Sequence, residues 1–272
     1  MRYPYLPPHQ GRSAQMTTLS PLIFVINLAR HSERRAFMEM QLNAIGLDFE
    51  VFAAVDGRLL TSEELAKSYD AELALITLGR DLTPGEIGCA LSHLAVYRKI
   101  IADDLPFALI FEDDALIGSQ FPDVYERVLQ MMDPLASETV LFIHAQKYSN
   151  WRSRAINKTH KLVPAVDAYC AHGYLVTQAA AKKLLATLYP VHNVADCWNY
   201  LMKRKIIKVM AVVPYCIGHA PFAKNSAIEP DRSKTQTKQR QPFRPLKYFY
   251  TKIVYQLLIK PVLRIRKQES TW

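Results

Sequence analysis

Apolar residues cluster in short runs separated by segments of helical period, and the alternation continues through most of the chain. Pro21 to Leu28 (PLIFVINL) is an unbroken apolar run bounded by Pro and charge, which reads as a buried, parallel strand. From Ser32 to Ile45 the period becomes helical: Phe37, Met40 and Ala44 share one face, Arg34, Arg35 and Glu39 lie off it, and Gly46 stops the helix. Phe49 to Val55 reads as a second strand, ended by the turn pair Asp56-Gly57. Thr61 to Tyr69 reads as a short helix capped by Thr61 or Ser62. Thr83-Pro84-Gly85-Glu86 is a capping box with Pro in the first turn, opening a helix that runs to about Ala102. Pro106 to Phe111 is a further buried strand, and so are Thr139 to Ile143, Gly173 to Val176 and Ile206 to Val213. Gln178 to Leu188 and Asp196 to Arg204 read as helices. Alternating strands and helices predict an α/β fold with a largely parallel central sheet flanked by helices.

At 272 residues with 50% apolar and 22% charged residues, the composition is that of a globular chain. Three regions are expected: a flexible segment over 1–20, a catalytic domain over 21–232, and a basic tail over 233–272. The first twenty residues lack the apolar core of a secretory signal, and Met16 is a possible second start. No apolar run reaches the roughly 18 residues of a membrane span. The four cysteines, at 89, 170, 197 and 216, show no CxxC spacing and read as reduced thiols.

The charge changes the picture once it is located. The net +9 belongs to residues 231–272, which hold eleven Lys/Arg against two Asp/Glu, while residues 1–230 are neutral. That argues against a nucleic-acid groove and for a tail that meets an anionic surface. Within the tail, Leu246, Phe249, Tyr250, Ile253, Val254, Leu257 and Leu258 form one helical stripe, flanked by Lys247, Lys252 and Lys260 and ended by Pro261. Such a helix suits a membrane surface or packs its apolar face on the body.

Candidate chemistry gathers at the ends of the strands. Glu112-Asp113-Asp114 directly follows an apolar strand, at the edge where open α/β sheets bind ligands. Adjacent acids invite a hard cation such as Mg²⁺ or Mn²⁺. Extended backbone would let Glu112 and Asp114 converge while Asp113 points away. Gly85, Gly88, Cys89, Ser92 and His93 open the long helix, whose first-turn amides favour an anion. His93 alone could equally be a satisfied core histidine. Asn27, Arg30, Arg34 and Arg35 follow the first strand and suit a diphosphate or nucleobase, or else a solvated helix face. Asp196, beside Trp198, suits a saccharide acceptor site with the acid as general base, or a helix N-cap. His219 is a candidate late metal or phosphate ligand, or an ordinary loop histidine.

Taken in order, VINLARHSERR (25–35), AVDGR (54–58), LTPGEIGCALSHLAVYRKI (82–100) and ALIFEDDA (108–115) resemble glycosyltransferase family 25, the bacterial lipooligosaccharide galactosyltransferases related to the collagen galactosyltransferases. HGYLVTQAAAKKLL (172–185) and NSAIEPDR (225–232) match more loosely. The resemblance implies a GT-A fold, a UDP-sugar donor (most often UDP-galactose), Mn²⁺ or Mg²⁺, and inverting transfer to an oligosaccharide or lipid-linked saccharide. It implies a nucleotide pocket drawn from Asn27, Arg30, Arg34, Asp56, Gly57, Gly88, Ser92, His93 and Asp113, and a cation on Glu112 and Asp114 with His219. The match does not assign the base; Asp196, which follows the HGY segment as an acceptor-side acid should, is the expected one. The expected location is the cytoplasmic face of the inner membrane. A transferase for another UDP-sugar, or a non-catalytic saccharide- or nucleotide-binding relative, remains open.

Overall fold

The computed structural model describes residues 22–225 and 260–269. The apolar runs become the inner strands: β1 (Leu22–Asn27), β2 (Glu50–Ala53), β3 (Phe107–Glu112), β5 (Glu138–Leu141), β9 (Gly173–Thr177) and β10 (Lys208–Val213). Shorter strands follow between and beyond them: β4 (Ala115–Ile117), β6 (Lys147–Ser149), β7 (Arg154–Ala155), β8 (Lys161–Asp167), β11 (Ile217–His219) and β12 (Ile265–Lys267). The main sheet runs β12-β6-β8-β10-β5-β9-β3-β1-β2, with β7 on β8, and β11 pairs with β4 in a separate ribbon.

The sheet is mixed, which corrects the largely parallel expectation. Among the described strands, only β1–β2, β1–β3 and β10–β5 pair in parallel, and β9 lies antiparallel between β3 and β5. Buried strands read as apolar runs whichever way they point, so the run itself carries no direction.

The helices are α1 (Ser32–Ala44), α2 (Ser62–Ser68), α3 (Ala71–Leu78), α4 (Pro84–Ala102), α5 (Phe121–Met131), α6 (Gln178–Leu188), α7 (Trp198–Lys203) and the single turn α8 (Lys260–Val262). None of the described helices is long and apolar enough to cross a membrane. In α4 the capping box closes as the sequence predicts: the Glu86 N–H donates to Thr83 Oγ1, and the Thr83 N–H donates to Glu86 Oε2. Arg80 grips the same buried carboxylate through both terminal nitrogens, at 2.8 and 2.7 Å. α4 packs along α6 and against β1. In α1 the buried residues are Met38 and Leu42, and Met40 is exposed. The apolar stripe expected from Phe37, Met40 and Ala44 is therefore rotated, which leaves Arg34 facing the carboxyl edge of the sheet.

The chain passes from β1 to β2 on one side and to β3 on the other. The order β3-β1-β2 makes the carboxyl ends of β1 and β3 a switch point, where a crevice opens in α/β sheets.

The apolar helical stripe at 246–258 lies outside the described residues. Beyond it the chain returns to the sheet, past the boundary expected at 232. β12 pairs with β6, and the Gln268 side-chain oxygen accepts the Ala145 N–H at 3.0 Å.

Candidate active site

The crevice at the switch point is a cleft that encloses about 120 Å³ and opens into about 710 Å³ continuous with solvent. Its walls come from the ends of three strands and the first half of α4: Arg30, His31 and Arg34 after β1, Asp56, Gly57 and Arg58 after β2, Glu112 to Asp114 at the end of β3, and Gly85, Cys89, Ser92 and His93.

Asp113 turns into this cleft, contrary to the expectation that it points away. The strand ends at Glu112, so the two-residue alternation stops there and Asp113-Asp114 form a turn. Asn27 Nδ2 donates to Asp113 Oδ2 at 2.8 Å, and Arg34 Nη1 donates to Oδ1 at 3.1 Å. Arg30 is ion-paired with Asp56. Two of the cations expected to meet a diphosphate thus already hold carboxylates. Arg35 lies on the solvated face of α1, bonded to Glu39.

Glu112 is tied to the buried middle of α4. His93 Nε2 lies 3.1 Å from Glu112 Oε1, and His93 Nδ1 lies 2.7 Å from the Tyr174 hydroxyl, which meets the Tyr97 hydroxyl at 2.7 Å. His93 is therefore both a satisfied buried histidine and a residue that orients a cleft carboxylate. Burial pushes the Glu112 carboxyl up, but the His93 hydrogen bond and the nearby His93, His172 and His219 outweigh it and leave the pKa lowered. Asp114 behaves oppositely. Burial, then Glu112 and Asp113, raise it to about 7. Its Oδ1 is buried without a hydrogen-bond partner. A buried, unsatisfied carboxylate oxygen beside two other acids is a donor set that fits a hard divalent cation.

Gly88 and Ser92 shape the cleft from behind. A Cβ on Gly88 would stand 2.5 Å from Gly57 N and 2.6 Å from Val55 O, so this glycine admits the neighbouring loop, and it does not line the cleft. Ser92 Oγ accepts the Val55 N–H at 2.8 Å and donates to Gly88 O at 2.7 Å. Both residues hold the β2 loop on α4.

His219 does not join Glu112 and Asp114 in a convergent ligand set among the described residues. Its ring lies against His172, with centroids 3.9 Å apart, and Cys170 completes that group. The other convergent group is Cys89, His93 and Glu112. Burial lowers the His172 pKa to about 3, His219 adding to the effect while Glu112 and the Ile217 backbone oppose it. Cys170 and His172 carry a signal that sequence reasoning missed: a Cys-x-His pair immediately before a buried strand.

Asp196 stands outside the cleft lining. Cys197 is the residue that precedes α7, with no side-chain cap, so Asp196 is not the N-cap. Its Oδ2 accepts the Cys170 N–H at 2.7 Å, and Trp198 Nε1 donates to the Cys170 carbonyl at 2.6 Å.

The fold is that of an α/β domain with an acid-rich cleft at the switch point of its sheet. Residues 20–198 match the family described as Glycosyltransferase family 25 (LPS biosynthesis protein). The chain belongs to glycosyltransferase family 25. It is 31% identical over 66% of its length to a probable inactive glycosyltransferase 25 family member 3 of Rattus norvegicus, covering 32% of that protein. It is 33% identical over 60% of its length to a glycosyltransferase 25 family member of Drosophila melanogaster, covering 27% of it. Procollagen galactosyltransferase 2 of Mus musculus matches at 28% identity over 72% of the chain and 34% of that protein. The chain thus spans about a third of the length of these relatives. Among solved structures, mannose-1-phosphate geranyltransferase from Thermus thermophilus aligns at 11% identity and a TM-score of 0.37, over 72% of this chain and 74% of that one.

Proposed function

We propose that this chain is an inverting glycosyltransferase that moves a sugar, galactose in β linkage, from a UDP-sugar to a saccharide acceptor in lipooligosaccharide or lipopolysaccharide biosynthesis. The observation that carries the reading is the unsatisfied Asp114 oxygen beside Glu112 and Asp113 in the switch-point cleft of a family 25 chain. Glu112 and Asp114 would hold Mn²⁺ or Mg²⁺, which neutralises a leaving diphosphate when bound. The enclosed part of the cleft is smaller than the roughly 300–1,000 Å³ of ordinary ligand pockets, so a nucleotide sugar would extend along its open part. There Arg30, Arg34 and Arg58 line the wall and orient the donor. His93 holds Glu112 in place.

Asp196 is the acceptor-side base of this reading. Its Oδ2 is occupied by Cys170, so Oδ1 would take the acceptor proton. Asp196→Asn keeps an oxygen for the Cys170 N–H, so the fold should persist while turnover falls by about 10²–10⁴-fold. Steady-state kinetics beside a melting curve check this. Unchanged turnover would leave Asp196 a tether for Cys170 alone.

The function is tested by UDP release from UDP-galactose and Mn²⁺, first without acceptor and then with glucose- or N-acetylglucosamine-terminated saccharides. Acceptor-stimulated release that stops on adding EDTA is expected. A second reading, a non-catalytic saccharide- or nucleotide-binding relative, is favoured by the Arg30–Asp56 and Arg34–Asp113 pairs, which already neutralise one another. It predicts saturable UDP-sugar binding with no release across a panel of donors.

The basic residues beyond 231 support a position on the cytoplasmic face of an inner membrane. Lys247→Glu with Lys252→Glu should weaken binding to anionic vesicles at least about tenfold, since each basic residue near such a surface is worth about 1 kcal/mol. Undiminished sedimentation with the vesicles would exclude the tail as the anchor. Point changes are the better test, because truncation would also remove β12 from the sheet edge.

A further inference from the structure

We propose that Cys170, His172 and His219 form a second cation site, for a borderline-soft divalent transition metal of the zinc class, beside the carboxylate cleft at Glu112 but with its own set of ligands. One ligand atom from each residue lies within 4.8 Å of the other two. Zinc holds sulfur at about 2.3 Å and imidazole nitrogen at about 2.0–2.1 Å, so a shift of roughly an ångström would close the set around an ion.

A second observation points to a ligand. His172 is 4% exposed, and neither ring nitrogen makes a well-formed hydrogen bond. Buried polar groups are ordinarily satisfied, and a metal would satisfy one of these two nitrogens. The contrast with Cys89, His93 and Glu112 is instructive: both His93 nitrogens are already engaged, by Tyr174 and Glu112.

The surroundings of Cys170 are those of a positioned ligand. Its φ of 67° lies in the left-handed region, which is costly for a residue with a side chain. Asp196 holds its N–H and the Trp198 indole holds its carbonyl. Those two bonds fix the backbone that aims the thiol, as outer groups commonly do around metal ligands. His219, on β11, is exposed, which would give an ion access from solvent and allow water as a fourth ligand. Thiolate and imidazole select Zn²⁺ or Co²⁺ over Mg²⁺ and Mn²⁺, so the set differs in kind from the oxygen donors of the cleft. The proposal does not depend on the transferase reading, because its test reads metal binding and not turnover.

The test is a Co²⁺ titration of the metal-free full-length chain, followed by absorption. An intense near-ultraviolet thiolate-to-cobalt band should grow in and saturate at about one Co²⁺ per chain, whatever further Co²⁺ the carboxylates take up, and stoichiometric Zn²⁺ should displace it. Cys170→Ser should abolish the band with the near-ultraviolet circular dichroism unchanged. His219→Ala, at an exposed position, should weaken Co²⁺ at least about tenfold, and it serves as the second probe if Cys170→Ser perturbs folding. Cys89→Ser and Asp114→Asn should leave the band intact. The proposal fails if no thiolate band forms, if the band survives Cys170→Ser, or if it is lost in Cys89→Ser.

Discussion

Asp114→Asn is expected to lower sugar transfer by at least about 10²–10³-fold while making the metal-free protein more stable above pH 7. The loss follows if Asp114 supplies the cation its buried oxygen; an amide there is a neutral and far poorer ligand. The gain in stability follows from the raised pKa. Folded Asp114 keeps its proton up to about pH 7, whereas its ordinary value is 3.8. Between those values the folded state holds a proton that the unfolded state has released, so stability falls as pH rises and the penalty is complete above pH 7. Three pKa units correspond to at most about 4 kcal/mol, and water reaching the open cleft reduces that to about 2–4 kcal/mol. Asn carries no such penalty. The melting temperature of the variant in EDTA should therefore exceed that of the wild type by a margin that grows from pH 4 to pH 8, reaching about 5–10 °C. Thermal melts across that range check it; a margin that is flat or shrinks with pH would remove the raised Asp114 from the account. Mn²⁺ must displace the same proton, so its affinity for the wild type should climb towards pH 7 and level off above it.

How much of this site could be read from the sequence depends on where backbone periodicity holds. α4 was fully legible, because Thr83, Pro84 and Glu86 specify its start by local chemistry alone. The ends of α6 fall where its pattern places them. Glu112, Asp113 and Asp114 were legible as a group, but their directions were not, since alternation stops at the last strand residue. β8 was hidden by Pro164, which argues against an inner strand, and β4 and β11 are three residues each. α5 carries a signal of its own in the sequence: Phe121, Val124, Tyr125 and Val128 recur at helical spacing and are all buried. The Cys170–His172–His219 group was legible only in pieces, for a different reason. Its third member comes from β11, and only the pairing of β11 with β4 brings it home.

The same limit explains Gly57 and Gly88, where the β2 loop meets α4, which also carry the largest expected effect on stability. Gly57→Ala should destabilise the fold by about 3 kcal/mol or more, lowering the melting temperature by roughly 6–12 °C. A Cβ at Gly57 would stand 1.8 Å from the Pro84 carbonyl oxygen and 2.8 Å from Gly88 N, both backbone atoms. No side chain can rotate away, so the β2 loop must lift from α4, and the Ser92 bond to Val55 N–H must stretch with it. Gly46→Ala provides the contrast. Gly46 has φ 68° with nothing within 4 Å of a Cβ, so its cost is conformational alone, about 1 kcal/mol. Gly88→Ala should resemble Gly57→Ala, with contacts of 2.5 and 2.6 Å to the same loop. Because the two glycines meet each other, one displacement relieves both clashes, and the double variant should melt close to the worse single one. Additive losses would mean that Gly57 and Gly88 pack independently, and a Gly57→Ala protein melting within about 2 °C of the wild type would mean that the loop is not seated on α4 at all.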